Sequence, residues 1–128
     1  MGEQVYNPNV VNWRPPPFLA ILGIDGGLWV VRITAPQTAK YRVLVQVADP
    51  RGRMTTAEDS TVKLSEHQSK MVPPGRIPVG RYVMFRQVGD WHWTLQVFMD
   101  GKLWVKRECW TQVYRQTVHS HEPTEQEV

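Results

Sequence analysis

Residues 90–105 read DWHWTLQVFMDGKLWV, two runs of alternating apolar and polar residues joined by Asp100-Gly101. An Asp-Gly pair between two such runs predicts a β-hairpin closed by a type I′ turn. That turn needs positive φ at both central residues, which Asp tolerates and Gly adopts freely. The stretch therefore indicates a small antiparallel β domain, and it says nothing about function.

The alternation also assigns the hairpin side chains to two faces, because successive strand residues point to opposite sides of a sheet. On the first strand, one face is predicted to hold Trp91, Trp93, Leu95, Val97 and Met99. On the returning strand, the same face is predicted to hold Leu103, Val105, Cys109 and Val113. The opposite face of the returning strand then carries Trp104, Trp110 and Tyr114, where we expect them to be exposed.

Shorter apolar or alternating runs predict further strands at residues 19–22, 28–34, 41–47 and 82–88. We expect residues 53–80 to form a long excursion with at most one short element, because prolines and glycines interrupt any regular pattern there. About seven strands without a convincing helix predict an all-β fold, a single antiparallel β-sandwich. This domain is expected to span residues 19–115.

Both ends of the chain differ in composition from this domain. Residues 1–18 are predicted to be an extended Pro-rich arm, because Pro15, Pro16 and Pro17 favour polyproline II. The arm holds enough apolar surface to lie against its own domain or against a neighbour. Residues 116–128 are predicted to be a polar acidic tail, disordered by composition.

The composition limits the class of protein. A chain of 128 residues is large enough for one domain with a real core, and a single cysteine excludes an internal disulfide framework. The net charge of +3 is modest and dispersed, which favours a solvated surface over a nucleic-acid groove. Without an apolar run of roughly 18 residues or a leader pattern, we expect a soluble cytoplasmic protein, or a virion component if the gene is phage-borne.

Groups that could support catalysis or metal binding have simpler interpretations. His119 and His121 are spaced to hold a metal on an extended strand, but no third ligand lies nearby and a polar tail explains them. His92 is expected to be a surface imidazole and His67 a solvated loop residue. The acids that could form a carboxylate pair are all explained by turn chemistry: Asp25, Asp49, Asp90 and Asp100. We therefore predict no enzyme activity, no metal and no cofactor.

The aromatic residues are the stronger indication of function, because Trp, Tyr and Arg are enriched at the centres of protein interfaces. The predicted partner-binding residues are Tyr6, Trp13 and Phe18 of the arm together with Trp104, Arg107, Trp110, Tyr114 and Arg115. Three alternatives stay open: the same rings could be structural core, could stack on sugars, or could stack on single-stranded bases.

Residues 41–52, 80–82 and 93–101 resemble small immunoglobulin-like β-sandwich domains of bacterial or phage origin. The resemblance extends from about Trp29 to Val113 and lies in the Asp-Pro-x-Gly turn and the late Asp-Gly hairpin. No binding residue is carried over, because the Cys-Trp-Cys signature of true immunoglobulin domains is absent. The resemblance implies the fold and a non-catalytic role. Together with the apolar arm and the aromatic residues of the returning strand, it favours a non-enzymatic subunit of a larger assembly, such as a phage virion or tail, that contacts other protein subunits or its own copies. A glycan-binding or single-stranded nucleic-acid-binding module is the alternative.

Overall fold

The computed structural model describes residues 10–72 and 81–116, and of Arg81 and Tyr82 it describes the backbone. The described residues form nine strands and no helix: β1 (Val11–Arg14), β2 (Leu19–Ile21), β3 (Gly26–Thr34), β4 (Ala39–Ala48), β5 (Met54–Leu64), β6 (Ser69–Val72), β7 (Arg81–Met84), β8 (Gly89–Met99) and β9 (Lys102–Tyr114). Within those residues, nothing forms an apolar helix of the length that a bilayer crossing demands. The predicted all-β class is confirmed.

The strands form two sheets. The first has the order β1-β3-β6, and β7 pairs with the first half of β3. The second has the order β2-β9-β8-β4-β5. Every pair is antiparallel except β2 with β9, which run parallel. The expectation of a purely antiparallel fold is therefore wrong at β2.

The predicted hairpin is confirmed as β8 and β9. Asp100 has φ of 49° and Gly101 has φ of 83°, the two positive values that a type I′ turn requires. The Asp100 carboxylate also accepts a hydrogen bond from the Lys40 backbone N–H at 2.9 Å, which ties the turn to the start of β4. The turn thus sets the register of the hairpin and joins it to the next strand of the sheet.

The core lies between the two sheets and is built from alternate residues of each, as two-layer packing requires. Trp93 of the second sheet lies against the first sheet at Gly27, where an added Cβ would be 2.7 Å from the Trp93 ring. Phe85 packs edge-on against both Trp91 and Trp93. This close approach explains why residue 27 carries no side chain.

One region differs from its sequence prediction, and another takes one of the two positions expected for it. Residues 53–80 hold the eleven-residue strand β5 and the shorter β6, rather than at most one short element. The alternation of apolar and polar residues is weak in β5, because β5 is an edge strand and its inner face carries the polar residues Glu58 and Ser60. The predicted arm also contains β1, which pairs with β3 from Val11 to Arg14. The described part of the arm therefore lies against its own domain.

A β-bulge interrupts the hairpin near its turn. Val97 pairs with Val105, but Phe98 pairs with Leu103, so Trp104 is the extra residue on β9. Trp104 consequently packs on the core, with its ring centroid 5.6 Å from that of Tyr41. Leu103 takes the outer face instead and is 51% exposed. The predicted faces of Leu103 and Trp104 are both wrong.

Candidate functional site

The regular end of β9 presents aromatic side chains on the outer face of the second sheet. Trp110 is 55% exposed and Tyr114 is 44% exposed, whereas Thr111 and Val113 between them are buried. At about 3.3 Å per strand residue, the Cα atoms of Trp110 and Tyr114 are roughly 13 Å apart. The alternation that failed at the bulge is confirmed here.

Strand β2 extends this surface beyond the edge of β9. Leu19 pairs with Gln112, which lies between Trp110 and Tyr114 on the same face. Leu19 is 50% exposed and Phe18 is 75% exposed. We call Phe18, Leu19, Trp110 and Tyr114 the aromatic strip. Three of these side chains lie on the outer face, and the exposed side chain of Phe18 directly precedes Leu19 at the same edge of the sheet.

Trp110 is held in place by its neighbour on β8. The Trp110 ring stacks on the His92 imidazole, with centroids 4.2 Å apart and an interplanar angle of 23°. The His92 Nε2 atom is 2.7 Å from Glu108 Oε1, so the imidazole is itself fixed. A ring that is already ordered loses little side-chain entropy when it binds. Trp110 is therefore a preorganised anchor rather than a mobile side chain.

A buried hydrogen-bond chain fixes β2 and the preceding prolines to the sheet beneath the strip. The Trp93 Nε1–H donates to Thr111 Oγ1 at 3.0 Å, and the Thr111 hydroxyl donates to the Pro17 carbonyl at 2.6 Å. The Gln112 N–H then donates to the Phe18 carbonyl, and the Leu22 N–H to the Tyr114 carbonyl, both at 2.8 Å. These bonds give Phe18 and Leu19 a defined place beside Trp110 and Tyr114.

The structure brings together four of the predicted partner-binding residues and separates the others. Trp110, Tyr114 and Phe18 belong to the strip, and exposed Arg115 follows Tyr114 directly. Three other predicted partner-binding residues are half-buried on the inner side of their sheets: Trp13, Trp104 and Arg107. Arg107 pairs with buried Leu95, so it lies on the opposite face of the sheet from Trp110. Tyr6 lies outside the described residues.

Sequence reasoning missed two members of this surface. The sequence places Leu19 only in a short apolar strand, because its position beside Gln112 depends on the parallel β2–β9 pair, which no local pattern indicates. The sequence predicts His92 on the surface, and it does lie on the outer face, where it stacks on Trp110. The alternation does place residues 92 and 110 on the same face, and the hairpin register makes them direct partners.

The other candidate groups do not assemble into a reactive centre among the described residues. No group of three or more His, Cys, Asp or Glu side chains there could hold a metal ion. Asp25, Asp49 and Asp100 accept backbone hydrogen bonds in turns. Burial raises the pKa of the half-buried Cys109 thiol to about 11, the reverse of what a nucleophile needs. His119 and His121 lie outside the described residues.

No family model matches the chain, and no curated protein matches it. Among solved structures, one similar chain is the Pseudomonas fluorescens alkylpurine DNA glycosylase AlkC bound to DNA containing an abasic site analog. The two are 12% identical, with a TM-score of 0.38 over 82% of this chain and 30% of the glycosylase chain. This chain thus spans less than a third of that protein, and a likeness this low carries no argument about function.

Proposed function

We propose that this protein is a non-catalytic protein-interaction module that binds its partner through the aromatic strip. The observation that carries the proposal is Trp110, more than half exposed yet fixed by His92 and Glu108. Exposed apolar patches on a folded domain usually mark a contact surface. Trp and Tyr supply much of the binding energy at such surfaces.

The surroundings of the strip have the layout of an interface centre with a polar rim. Trp110, Leu19 and Tyr114 provide apolar area, and Glu108 and Arg115 provide charges of opposite sign at its border. Rim charges of this kind steer association and select partners more than they add affinity. The partner surface is therefore expected to be apolar at its centre, with charged residues around it.

We also propose that the domain is immunoglobulin-like. Such domains have a sheet of strands C, F and G that is extended by C′ in the variable type. The order β9-β8-β4-β5 corresponds to G-F-C-C′, and β3 lies opposite it in the place of strand B. A virion or tail origin stays a prediction, and the interaction proposal depends on neither assignment.

A glycan platform is the second candidate, and one observation favours it. The Trp110 ring has His92 against one face, and the carboxylate of Glu108 is nearby to accept sugar hydroxyl hydrogen bonds. A flat indole with polar groups at its edge can also stack on a sugar ring. This alternative uses the same residues, so a single variant tests both.

The test compares Trp110→Ala with Leu103→Ala. Leu103 is a matched control because it is equally exposed, on the same face and strand, but outside the strip. Immobilised wild-type and variant proteins are compared for retention of host proteins and for concentration-dependent self-association in sedimentation experiments. We expect Trp110→Ala, but not Leu103→Ala, to lose at least one specific interaction.

Glycan and single-stranded DNA binding are measured on the same three proteins. Sugar binding that is lost in Trp110→Ala and insensitive to salt would support the glycan platform. Affinity that falls steeply with salt would instead indicate nucleic acid, because counterion release drives that binding. If Trp110→Ala matches the wild type in every assay, the strip is not a binding surface.

A further inference from the structure

A groove lies at the edge of the second sheet opposite the edge that carries the aromatic strip. It is a cavity of about 670 Å³ between β5, the edge of the second sheet, and β7 of the first sheet. Trp91 forms part of its wall, and the exposed side chains of Met54 and Met84 line it. Methionine side chains adapt to irregular partners, so this lining suits a peptide segment.

The groove is cationic. Arg53 and Arg86 line it together with one acid, Asp49. Within residues 10–72 and 81–116, the Arg86 side chain makes no ion pair or hydrogen bond. Exposed Arg51 lies in the turn next to the groove. An occupant with several carboxylates would therefore meet unpaired positive charge.

Asp49 does not cancel this charge, because its carboxylate is already engaged. Its oxygens accept hydrogen bonds from the backbone N–H groups of Arg51 and Arg53 and from Arg53 Nε, at 2.9–3.0 Å. Partial burial alone would raise the pKa of Asp49, but these hydrogen bonds outweigh it and lower the pKa. Asp49 and Arg53 thus neutralise each other, and Arg86 and Arg51 are left to attract an anion.

The acidic segment at residues 117–128 begins at the same end of the sandwich. Antiparallel pairing places the end of β9 beside the start of β8, the end of β4 and the start of β5. Strand β5 is three places from β9, so about 15 Å separates them at 4.8 Å per strand. Glu122 is six residues beyond Gln116, and an extended chain of six residues spans at most about 20 Å. Glu122 can therefore reach β5.

We propose that residues 117–128 bind in the groove between β5 and β7 of the same molecule. The segment carries Glu122, Glu125 and Glu127 and no Lys or Arg, which complements Arg86 and Arg51. In this position the segment covers Met54 and Met84. It would then compete with any external acidic peptide that the groove could bind.

Another cationic groove is less favourable for this segment. Arg14, Arg32 and Met71 line a cavity of about 460 Å³ on the outer face of the first sheet. To reach it from Gln116, the segment would have to pass around an edge of the sandwich to the opposite layer. The reach available to Glu122 therefore favours the groove between β5 and β7.

The methionines provide an internal test of this proposal in the full-length protein. A spin label is placed at Ser120→Cys in a Cys109→Ala background, and the ε-methyl signals of the methionines are followed by NMR. Met54 and Met84 report on the proposed groove, Met71 on the groove of the first sheet, and Met99 on the opposite end of the sandwich. We expect Met54 and Met84 to lose more intensity than Met71 and Met99.

Two perturbations test whether charge holds the segment. The intensity of Met54 and Met84 should recover in 1 M salt, where the Debye length is about 3 Å. It should also recover in Arg86→Glu but not in Arg32→Glu, a matched exposed arginine of the other groove. Both charge reversals are on the surface, and wild-type dispersion of the Met99 signal confirms that each variant is folded.

Three results would overturn the proposal. Uniform loss at all methyl groups would mean that the segment does not bind a particular site. Selective loss at Met71 would place it in the other groove. A mixture of isotope-labelled protein without a spin label and unlabelled protein with one identifies binding between copies: loss at Met54 there would show that the segment binds a second molecule.

Discussion

At the two ends of β9, the same alternating sequence pattern leads to opposite side-chain positions. Trp104 and Trp110 are six residues apart, and a regular strand would place both on one face. Trp110 does lie on the outer face, stacked on His92, but Trp104 lies on the core beside Tyr41. Between them the parity changes because one residue of β9 has no partner on β8.

This difference shows that the bulge divides the tryptophans of β9 by role. At the bulged end, an aromatic residue is turned inward and closes the core near the hairpin turn. At the regular end, an aromatic residue is left outside on a rigid support and forms the candidate interface. The comparison makes separate predictions for the two ends, because inner side chains should affect stability and outer ones should affect binding.

The largest expected effect belongs to the buried polar residue of the regular end. Thr111→Val removes the acceptor of the Trp93 indole N–H and the donor to the Pro17 carbonyl. Leaving a buried polar group without a partner costs about 1–3 kcal/mol, so we expect a loss of about 2–4 kcal/mol in the free energy of unfolding. Urea denaturation measures this loss.

Thr94→Val is the control for Thr111→Val, because Thr94 lies on the outer face of the adjacent strand with Glu108 as its pairing partner. A surface change of this kind should remain within about 0.5 kcal/mol of the wild type. Equal stability of the two variants would show that the chain from Trp93 to Pro17 does not hold β2 in place.

A smaller effect is expected for the direct comparison of Trp104→Ala with Trp110→Ala. Full burial would give a loss of about 3–5 kcal/mol for a Trp→Ala change, and Trp104 is half-buried, so we expect about 2 kcal/mol. Trp110→Ala should cost less than about 1 kcal/mol, since it removes an exposed ring stacked on His92. Equal losses in thermal or urea unfolding would contradict the assignment of opposite roles.

Gly101→Ala tests whether the turn sets the bulged end, with a still smaller effect. Gly101 has φ of 83°, and an L-residue in the left-handed region costs about 1–2 kcal/mol. Space is not the obstacle, since an added Cβ would meet nothing within 4 Å. We expect a loss of about 1 kcal/mol in urea unfolding. Lys102→Ala, an exposed neighbour, should be nearly neutral, and a neutral Gly101→Ala would show that the turn does not need glycine at this position.

The hairpin, the strands around it and the exposure of Trp110 and Tyr114 could be predicted from the sequence, because each depends on local alternation and turn chemistry. The bulge at Trp104 could not be predicted. The sequence does not show which residue is unpaired, because Leu103, Trp104 and Val105 are all apolar and all favour burial. Only the register with Phe98 decides which of the three points outward.

The rest of the aromatic strip depends on contacts between distant parts of the chain. Leu19 lies beside Gln112 because β2 adds to the sheet in parallel, more than ninety residues away in the sequence. Strand β5 is hard to predict from the sequence for a different reason. It lies at the edge of its sheet and pairs on one side only, so its residues are largely polar and resemble a loop.

Cys109 lies between the two ends of β9, and its thiol gives the smallest and most specific prediction. An unperturbed thiol has a pKa near 8.5, and burial raises that of Cys109 to about 11. At pH 8 its thiolate fraction is therefore about two orders of magnitude below that of the unfolded chain. Reaction with a disulfide reagent should be correspondingly slow until urea unfolds the protein.

The same shift of the Cys109 pKa predicts how stability depends on pH. Below about pH 8.5 the thiol is neutral in both the folded and the unfolded protein, so its ionisation does not change the free energy of unfolding. Between there and about pH 11 the unfolded state releases the proton first, so stability should fall as the pH rises through this window. Cys109→Ala should remove this part of the pH dependence. Fast labelling of the folded protein at pH 8 would mean that the thiol of Cys109 is open to water. The inner face of β9 would then not be buried at this position, which would contradict the assignment of separate inner and outer faces there.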